Sequence, residues 1–147
     1  MSTSEPHLQM RLAVNLTELT RMQAHIQAWG EQLQWKQTDI YRTQLALEEL
    51  FVNAMTHGQI PGQSMWASVS LRAKPQGLAL QWLDNGVAFN PLLAPTANPD
   101  MDLDERQPGG WGLTMLRSMG TDAQYKRQSH GSEDTNCLQW LQPWSDT

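Results

Sequence analysis

A glutamate and an asparagine stand four residues apart in a segment whose periodicity predicts a helix. Glu49 and Asn53 therefore lie on one side of that helix. The apolar stripe beside them consists of Leu47, Leu50, Phe51 and Ala54. A carboxylate and an amide projecting together into a partly covered site can hold a hydrated magnesium ion and orient a nucleophile. A solvated flank of the helix, with a neutral contact between the two side chains, is the alternative.

A second patch follows directly after a predicted strand and reads Asp84-Asn85-Gly86-Val87-Ala88-Phe89. A carboxylate at the end of a strand can accept a hydrogen bond from an exocyclic amine. Gly86 would let a flat ring approach the backbone closely, because glycine has no side chain. Asp-Asn-Gly is also a strong signal for an ordinary turn, so a plain turn is the alternative.

A third patch runs glycines straight into a predicted helix, with Gly109, Gly110 and Gly112 around Trp111, followed by Leu113 and Thr114. The start of a helix offers unpaired N–H groups and the positive end of a dipole, which favour an anion such as phosphate. The alternative is a flexible hinge that leads into a helix. Arg117 is equally consistent with a phosphate ligand and with a surface charge.

These patches need elements that bring them together. Strands are predicted at 7–14, 65–73, 78–83, 124–127 and 137–141, and helices from Asn15 or Thr17 to 33, from the start signal Thr38-Asp39 through 40–57, and at 111–119. The segment 84–110 has no clear period, and long irregular segments inside a domain are usually functional. The order predicts an α+β fold, a two-layer sandwich with helices on one face of a mixed, largely antiparallel sheet.

Composition narrows the classes of protein. The 147 residues predict one domain over 1–147, and a net charge of −5 argues against direct binding of nucleic acid. The single cysteine, Cys137, excludes an internal disulfide or a multi-cysteine metal site. No apolar run is long enough for a membrane span, and the first residues lack a secretory signal. We therefore expect a cytoplasmic protein without a membrane partner.

Taken in order, the three patches are far more specific than any one of them. Glu-x-x-x-Asn-Ala, Asp-x-Gly-x-x-Phe and Gly-Gly-x-Gly-Leu in one domain resemble the nucleotide-binding fold shared by DNA gyrase, the heat-shock chaperone of that class, MutL-type repair proteins and histidine kinases. The chain is most similar to the serine kinases that act as bacterial anti-sigma factors, the switch-protein kinases. Asn53-Ala-Met-Thr-His57-Gly58, Phe89 and Asn136-Cys137-Leu138 carry that likeness, which extends from about residue 8 to 141.

The resemblance implies a role for each patch. Glu49 matches the general base, Asn53 the magnesium ligand, and Asp84 the acceptor for the adenine amino group. Gly86 matches the glycine beneath the base. The phosphate-binding loop and its surroundings would include Gly109, Gly110, Trp111, Gly112, Leu113 and Thr114. The segment 90–108 matches the ATP lid, in which Arg106 is the one basic residue. In larger ATPases a second glycine stands where this chain has Ala88-Phe89. His57 has no assigned role and suits the end of a helix.

The resemblance further implies ATP or ADP and Mg²⁺ as cofactors. The activity would be a serine-protein kinase that phosphorylates a small anti-sigma-factor antagonist and sequesters a sigma factor, with homodimerisation possible. The alternative function is a nucleotide-regulated binding module without kinase activity. Among the tryptophans, Trp29, Trp82 and Trp140 are expected in the core, whereas Trp35 and Trp66 are expected at the surface.

Overall fold

Two helices cover one face of a five-stranded sheet. The computed structural model describes residues 5–93 and 121–146. Its elements are β1 (His7–Ala13), α1 (Leu16–Gln32), α2 (Gln37–His57), β2 (Trp66–Lys74), β3 (Gly77–Asp84), a 3-10 turn (Pro91–Leu93), β4 (Thr121–His130) and β5 (Glu133–Pro143). The spatial order is β1-β2-β3-β5-β4, and every pairing described is antiparallel. The predicted α+β sandwich is confirmed.

The core lies between the sheet and the helices. Side chains alternate between the two faces of a strand, and most positions that face the helices are apolar and buried. On the sheet they include Val69, Leu71, Leu78, Leu80, Trp82, Leu138 and Trp140. On the helices they include Leu19, Met22, Ile26, Leu47, Leu50 and Phe51. Burial of these side chains is the main force that holds α2 against the sheet, and it thereby fixes the position of the polar flank of the helix.

The helix α1 begins and ends through specific local contacts. Of the two predicted caps, Asn15 is used, because its Oδ1 accepts a hydrogen bond from the Glu18 N–H at 2.9 Å. At the other end, Gly30 lies directly against Ile40. A Cβ at Gly30 would stand 2.5 Å from Cγ1 of Ile40, so glycine is what allows α1 to pack closely on the start of α2.

The helix α2 begins at Gln37, earlier than the predicted start at Thr38-Asp39. Its cap position, Lys36, makes no side-chain capping bond. Asp39 lies inside the first turn and is 3 % exposed. Its carboxylate accepts hydrogen bonds from the backbone and hydroxyl of Ser145 and pairs with Arg42 at 3.1 Å. A long-range contact therefore uses the residue that local sequence rules assign to a cap.

The last two strands are longer than predicted. The ladder between β4 and β5 extends from Thr121 opposite Leu141 to His130 opposite Glu133, with an irregularity between Thr121 and Gln124. The sequence of β4 is almost wholly polar, and it lies at the edge of the sheet. Pairing with β5, rather than an apolar pattern, determines where this strand begins and ends.

Two tryptophans expected at the surface are packed. Trp66 is 9 % exposed. Its indole donates to Glu133 at 3.1 Å, and the Arg11 guanidinium lies 4.1 Å from its ring centre. Trp35 is half-buried between Trp29 and Trp144, with ring centres 5.0 and 5.1 Å away. The core positions of Trp82 and Trp140 agree with the prediction, and Trp29 is partly buried against the core.

Candidate functional site

The predicted pair on α2 lies at the border of the core. Phe51 of α2 packs edge-on against Trp82 of β3, with ring centres 6.1 Å apart. This contact anchors the middle of the helix to the sheet. Glu49 and Asn53, on the flank of the helix, are both half-buried. The structure therefore disagrees with a freely solvated flank and agrees with a partly covered one.

The carboxylate of Glu49 has an unusual environment. Its Oε2 is buried and has no hydrogen-bond partner within residues 5–93 and 121–146. Burial raises the pKa of this carboxyl above its ordinary value, and the neighbouring charge of Glu48 raises it further. A carboxylate with a raised pKa and an unused oxygen is suited to accept a proton.

The carboxylate of Asp84 is held by three donors. Its Oδ1 accepts from the backbone N–H of Gly86 and from the side-chain amide of Asn136, both at 2.9 Å. Its Oδ2 accepts from the Trp82 indole at 2.7 Å. A carboxylate offers about four acceptor positions, so the described residues leave one position, on Oδ2, for a further donor. Asp84 is only 7 % exposed, which restricts the direction from which that donor can arrive.

The end of α2 meets the loop after β3. The backbone N–H of Val87 donates to the carbonyl of Gly58 at 2.9 Å. A Cβ at Gly86 would stand 2.7 Å from that same carbonyl and would overlap the methyl group of Met65. Glycine at 86 is therefore required by close packing between the helix end and the loop. The end of the helix that carries Asn53 thus meets the loop that follows Asp84.

Asn136 ties this loop together, and sequence reasoning gave it no role in the site. It lies opposite Asp84 in the ladder between β3 and β5 and is 5 % exposed. Its amide nitrogen donates to Asp84 and to the carbonyl of Val87. Its amide oxygen accepts from the Phe89 backbone, the Tyr125 hydroxyl and the Arg127 guanidinium. The segment Asn136-Cys137-Leu138 supported the family likeness but gave no sign of these contacts, because only the register of the strands brings the groups together.

The loop at 85–89, after β3, exposes two apolar side chains to solvent. Val87 is 45 % exposed and Phe89 is 44 % exposed, although their backbone groups are hydrogen-bonded. Arg127 also donates to the carbonyl of Gly86 at 2.9 Å. An apolar surface on a rigid backbone is suited to a flat ring.

Asn85, expected only as a turn residue, is a buried anchor at 2 % exposure. Its oxygen accepts from the backbone of Trp66 at 2.8 Å, and its nitrogen donates to Glu133 at 2.6 Å. Glu133 also accepts from Gln63. These donors, with that of Asn85 first, hold the pKa of the Glu133 carboxyl below its ordinary value. Asn85 thus anchors the loop that follows Asp84 to β2 and to the start of β5.

The remaining predicted residues are His57 and those outside the described part of the chain. His57 ends α2 and is exposed. The phosphate-loop residues, Gly109 to Thr114, lie outside the described residues, as do Arg106, Arg117, the helix predicted at 111–119 and all but residues 90–93 of the predicted lid. In the part of the chain that is described, neither helix is long and apolar enough to cross a bilayer.

Known proteins share this sequence pattern and fold. The sequence profile of the histidine kinase-like ATPase domain matches residues 12–139. The serine/threonine-protein kinase BtrW of Bordetella bronchiseptica is 31% identical over 84 residues, which are 57% of this chain and 59% of BtrW. The structure of the RsbU and RsbW domains of Rv1364c from Mycobacterium tuberculosis superimposes with a TM-score of 0.56 at 17% identity, covering 97% of this chain and 34% of that one.

These matches differ in what they establish. The structural likeness, at 17% identity, speaks for the fold alone. The chain spans 59% of the length of BtrW, so this match does not establish the activity of that whole protein for this chain. The domain profile, in contrast, spans most of the chain. The protein therefore belongs to the histidine kinase-like ATPase domain family, and the family recognised from its three motifs is confirmed.

Proposed function

We propose that this protein is an ATP-dependent serine-protein kinase that acts as an anti-sigma factor. It phosphorylates a small antagonist protein on serine and sequesters a sigma factor, so that its partner changes with phosphorylation. Membership of the ATPase domain family supports nucleotide binding. The relative BtrW, which bears the name of a serine/threonine-protein kinase, supports the reaction type.

One observation carries the proposal of catalysis. The carboxylate of Glu49 is half-buried, its Oε2 lacks a partner among the described residues, and its pKa is raised by burial. Phosphoryl transfer relies mainly on positioning and on compensation of charge. Glu49 would orient the acceptor hydroxyl and take its proton. The transfer rate should therefore increase with pH through a pKa above that of an ordinary glutamate.

The base and the metal would bind along the same helix and loop. Asp84 would accept the adenine amino group at its one open position, above Gly86 and beside Phe89. Asn53 would contribute an oxygen to Mg²⁺, which needs few protein ligands because water and phosphate complete its shell. No three His, Cys, Asp or Glu side chains gather among the described residues, which fits such a sparse site. When bound, Mg²⁺ would compensate charge on the phosphates.

The phosphate-binding loop and the lid that we propose consist mostly of residues outside the described part of the chain. Gly109, Gly110, Gly112 and the amides around Leu113 and Thr114 would hold the phosphates, with Trp111 covering the nucleotide and 90–108 acting as the lid. We also propose that residues 1–147 form a single domain, that the protein is cytoplasmic and that it can form a homodimer.

The decisive experiment measures phosphate transfer. The protein is incubated with labelled ATP, Mg²⁺ and a candidate antagonist, and phosphoserine on the antagonist is quantified. We expect Glu49→Gln to lower the rate at least about a hundredfold, the lower end of the range typical for loss of a general base, while ADP affinity stays within a few-fold. ADP binding without transfer to any antagonist would instead support the nucleotide-regulated binding module.

Glu48→Gln provides the matched control, because Glu48 is the adjacent glutamate and is also half-buried. Transfer should persist in this variant. Its half-maximal rate should move to lower pH, since the neighbouring negative charge that raises the pKa of Glu49 has been removed. Equal loss of transfer in both variants would contradict a specific role for Glu49.

A further inference from the structure

We infer that Asn136 is the residue that sets the specificity of the base site, by holding Asp84 so that it accepts from a 6-amino group and rejects a 6-oxo group. This inference rests on the proposed nucleotide-binding function. It concerns a positioning residue, because Asn136 is inferred to act through Asp84 rather than on the nucleotide.

The orientation of the Asn136 amide follows from its neighbours. One end faces the backbone N–H of Phe89 and the guanidinium of Arg127, both at 3.1 Å. Both groups can only donate, so the amide oxygen must lie at this end. The NH₂ group therefore lies at the other end, 2.9 Å from Asp84 Oδ1 and 2.9 Å from the Val87 carbonyl.

This donor determines what Asp84 can still accept. With Asn136 and the Gly86 N–H on Oδ1 and the Trp82 indole on Oδ2, residues 5–93 and 121–146 leave a single acceptor position open. An adenine amine can fill it. Hypoxanthine and guanine carry an oxygen at the same position, and two acceptors facing each other leave a buried group unpaired.

Loss of the Asn136 amide would relax that restriction in two ways. Asp84 Oδ1 would regain an open acceptor position, and the carboxylate could turn to accept the N1–H that hypoxanthine possesses and adenine lacks. The carbonyl of Val87 and the N–H of Phe89 would also lose their partner. Selectivity between bases should therefore fall more steeply than the affinity for adenine.

The test compares ADP with IDP, which differ in this discriminating position of the base. Calorimetry in the presence of Mg²⁺ gives the ratio of Kd for IDP to Kd for ADP. We expect a wild-type ratio of about a hundred, the upper part of the cost of leaving one buried polar group without a partner. Asn136→Ala should reduce this ratio at least about tenfold, the equivalent of one hydrogen bond to a charged group.

A second variant, Arg127→Ala, tests the same inference if Asn136→Ala fails to fold. Arg127 is exposed on the edge strand β4 and orients both Asn136 and the Gly86 carbonyl, so Arg127→Ala should lower the ratio in the same direction by a smaller factor. The matched control is Gln142→Ala. Gln142 is a buried amide on the same face of β5, and its side chain donates to Thr43, away from the loop. It should leave the ratio unchanged.

The outcomes separate the inference from the proposed function. If the wild-type protein binds ADP selectively but Asn136→Ala and Arg127→Ala weaken ADP and IDP by the same factor, Asn136 has a structural role only and the inference is overturned. If the wild-type protein binds neither nucleotide, the proposed function falls and the inference falls with it.

Discussion

At the scale of single residues, the catalytic role proposed for Glu49 would conflict with folding. Oε2 of Glu49 is buried and has no partner in the described part of the chain, and an ionised carboxylate in that position destabilises the native state. The same environment makes the carboxylate a stronger base, because burial disfavours its charged form. We therefore regard this residue as one whose stability cost is retained for its proposed chemistry.

This conflict predicts the effect of Glu49→Gln on stability. The native pKa of Glu49 lies above the unfolded value, so its destabilising effect is fully present above the native pKa and absent below the unfolded one. At pH 8 the variant should melt about 1–3 °C higher than wild type, a modest gain because the group is partly exposed. Thermal unfolding followed by circular dichroism measures the difference. Its persistence at pH 4 would contradict the explanation.

At the scale of elements, Glu133 connects segments that are distant in sequence. As the first residue of β5, it accepts from Gln63 after α2, from Trp66 of β2 and from Asn85 after β3. Because all its partners donate, a carboxylate satisfies them and an amide cannot. The position of the Asp84 loop therefore depends on a side chain beside the turn of the β4–β5 hairpin, 48 residues after Asn85 in the chain.

Glu133→Gln should destabilise the protein at pH 7, because the new NH₂ group would face a donor. The lowered native pKa of Glu133 contributes stability above the unfolded pKa, and this contribution is lost as the pH falls through the native pKa. The difference in urea midpoint between wild type and variant should therefore shrink in acid. Asp134→Asn, at the exposed neighbour, should change the midpoint little. Equal midpoints for Glu133→Gln and wild type at pH 7 would contradict the assignment.

At the scale of the whole molecule, the last described residues hold the start of α2. Asp39 accepts from Ser145, 106 residues away, and Arg42 donates to the carbonyl of Pro143. Trp144 packs against Trp35 and donates to the carbonyl of Lys74. The helix that carries Glu49 and Asn53 is thus fixed at its first turn by the end of the sheet and at its last turn by the Asp84 loop.

Removal of the Asp39 carboxylate should therefore lower the free energy of unfolding by a large amount. Asp39→Ala leaves the half-buried Arg42 without its ionic partner, and such losses cost about 2–4 kcal/mol. Urea unfolding measures this change. Asp146→Ala removes an exposed carboxylate next to Ser145 in the chain and should lower the free energy of unfolding by less than about 0.5 kcal/mol. A decrease of less than about 1 kcal/mol in the free energy of unfolding of Asp39→Ala would show that Pro143 and Ser145 do not hold the start of α2.

Much of the architecture was predictable because it is encoded locally. Alternation in β1 and in the β2–β3 hairpin, and helical periodicity around Leu47 and Phe51, predicted these elements within a few residues of their observed bounds. The polar strand β4 was predicted too short, since its length comes from pairing with β5. Asp39 was assigned to a helix start by local rules, and a distant partner uses it instead.

The sequence alone determined the family, the order of the elements and the side of α2 on which Glu49 and Asn53 lie. These follow from the types and spacing of residues that are close in the chain. Only the tertiary structure decided that Asn136 faces Asp84 across 52 residues, that Asn85 and Trp66 meet Glu133, and that Gly58 contacts the loop at Gly86. Strand register and the docking of a helix end are properties of the packed chain, because each depends on the sum of many distant contacts rather than on any local pattern.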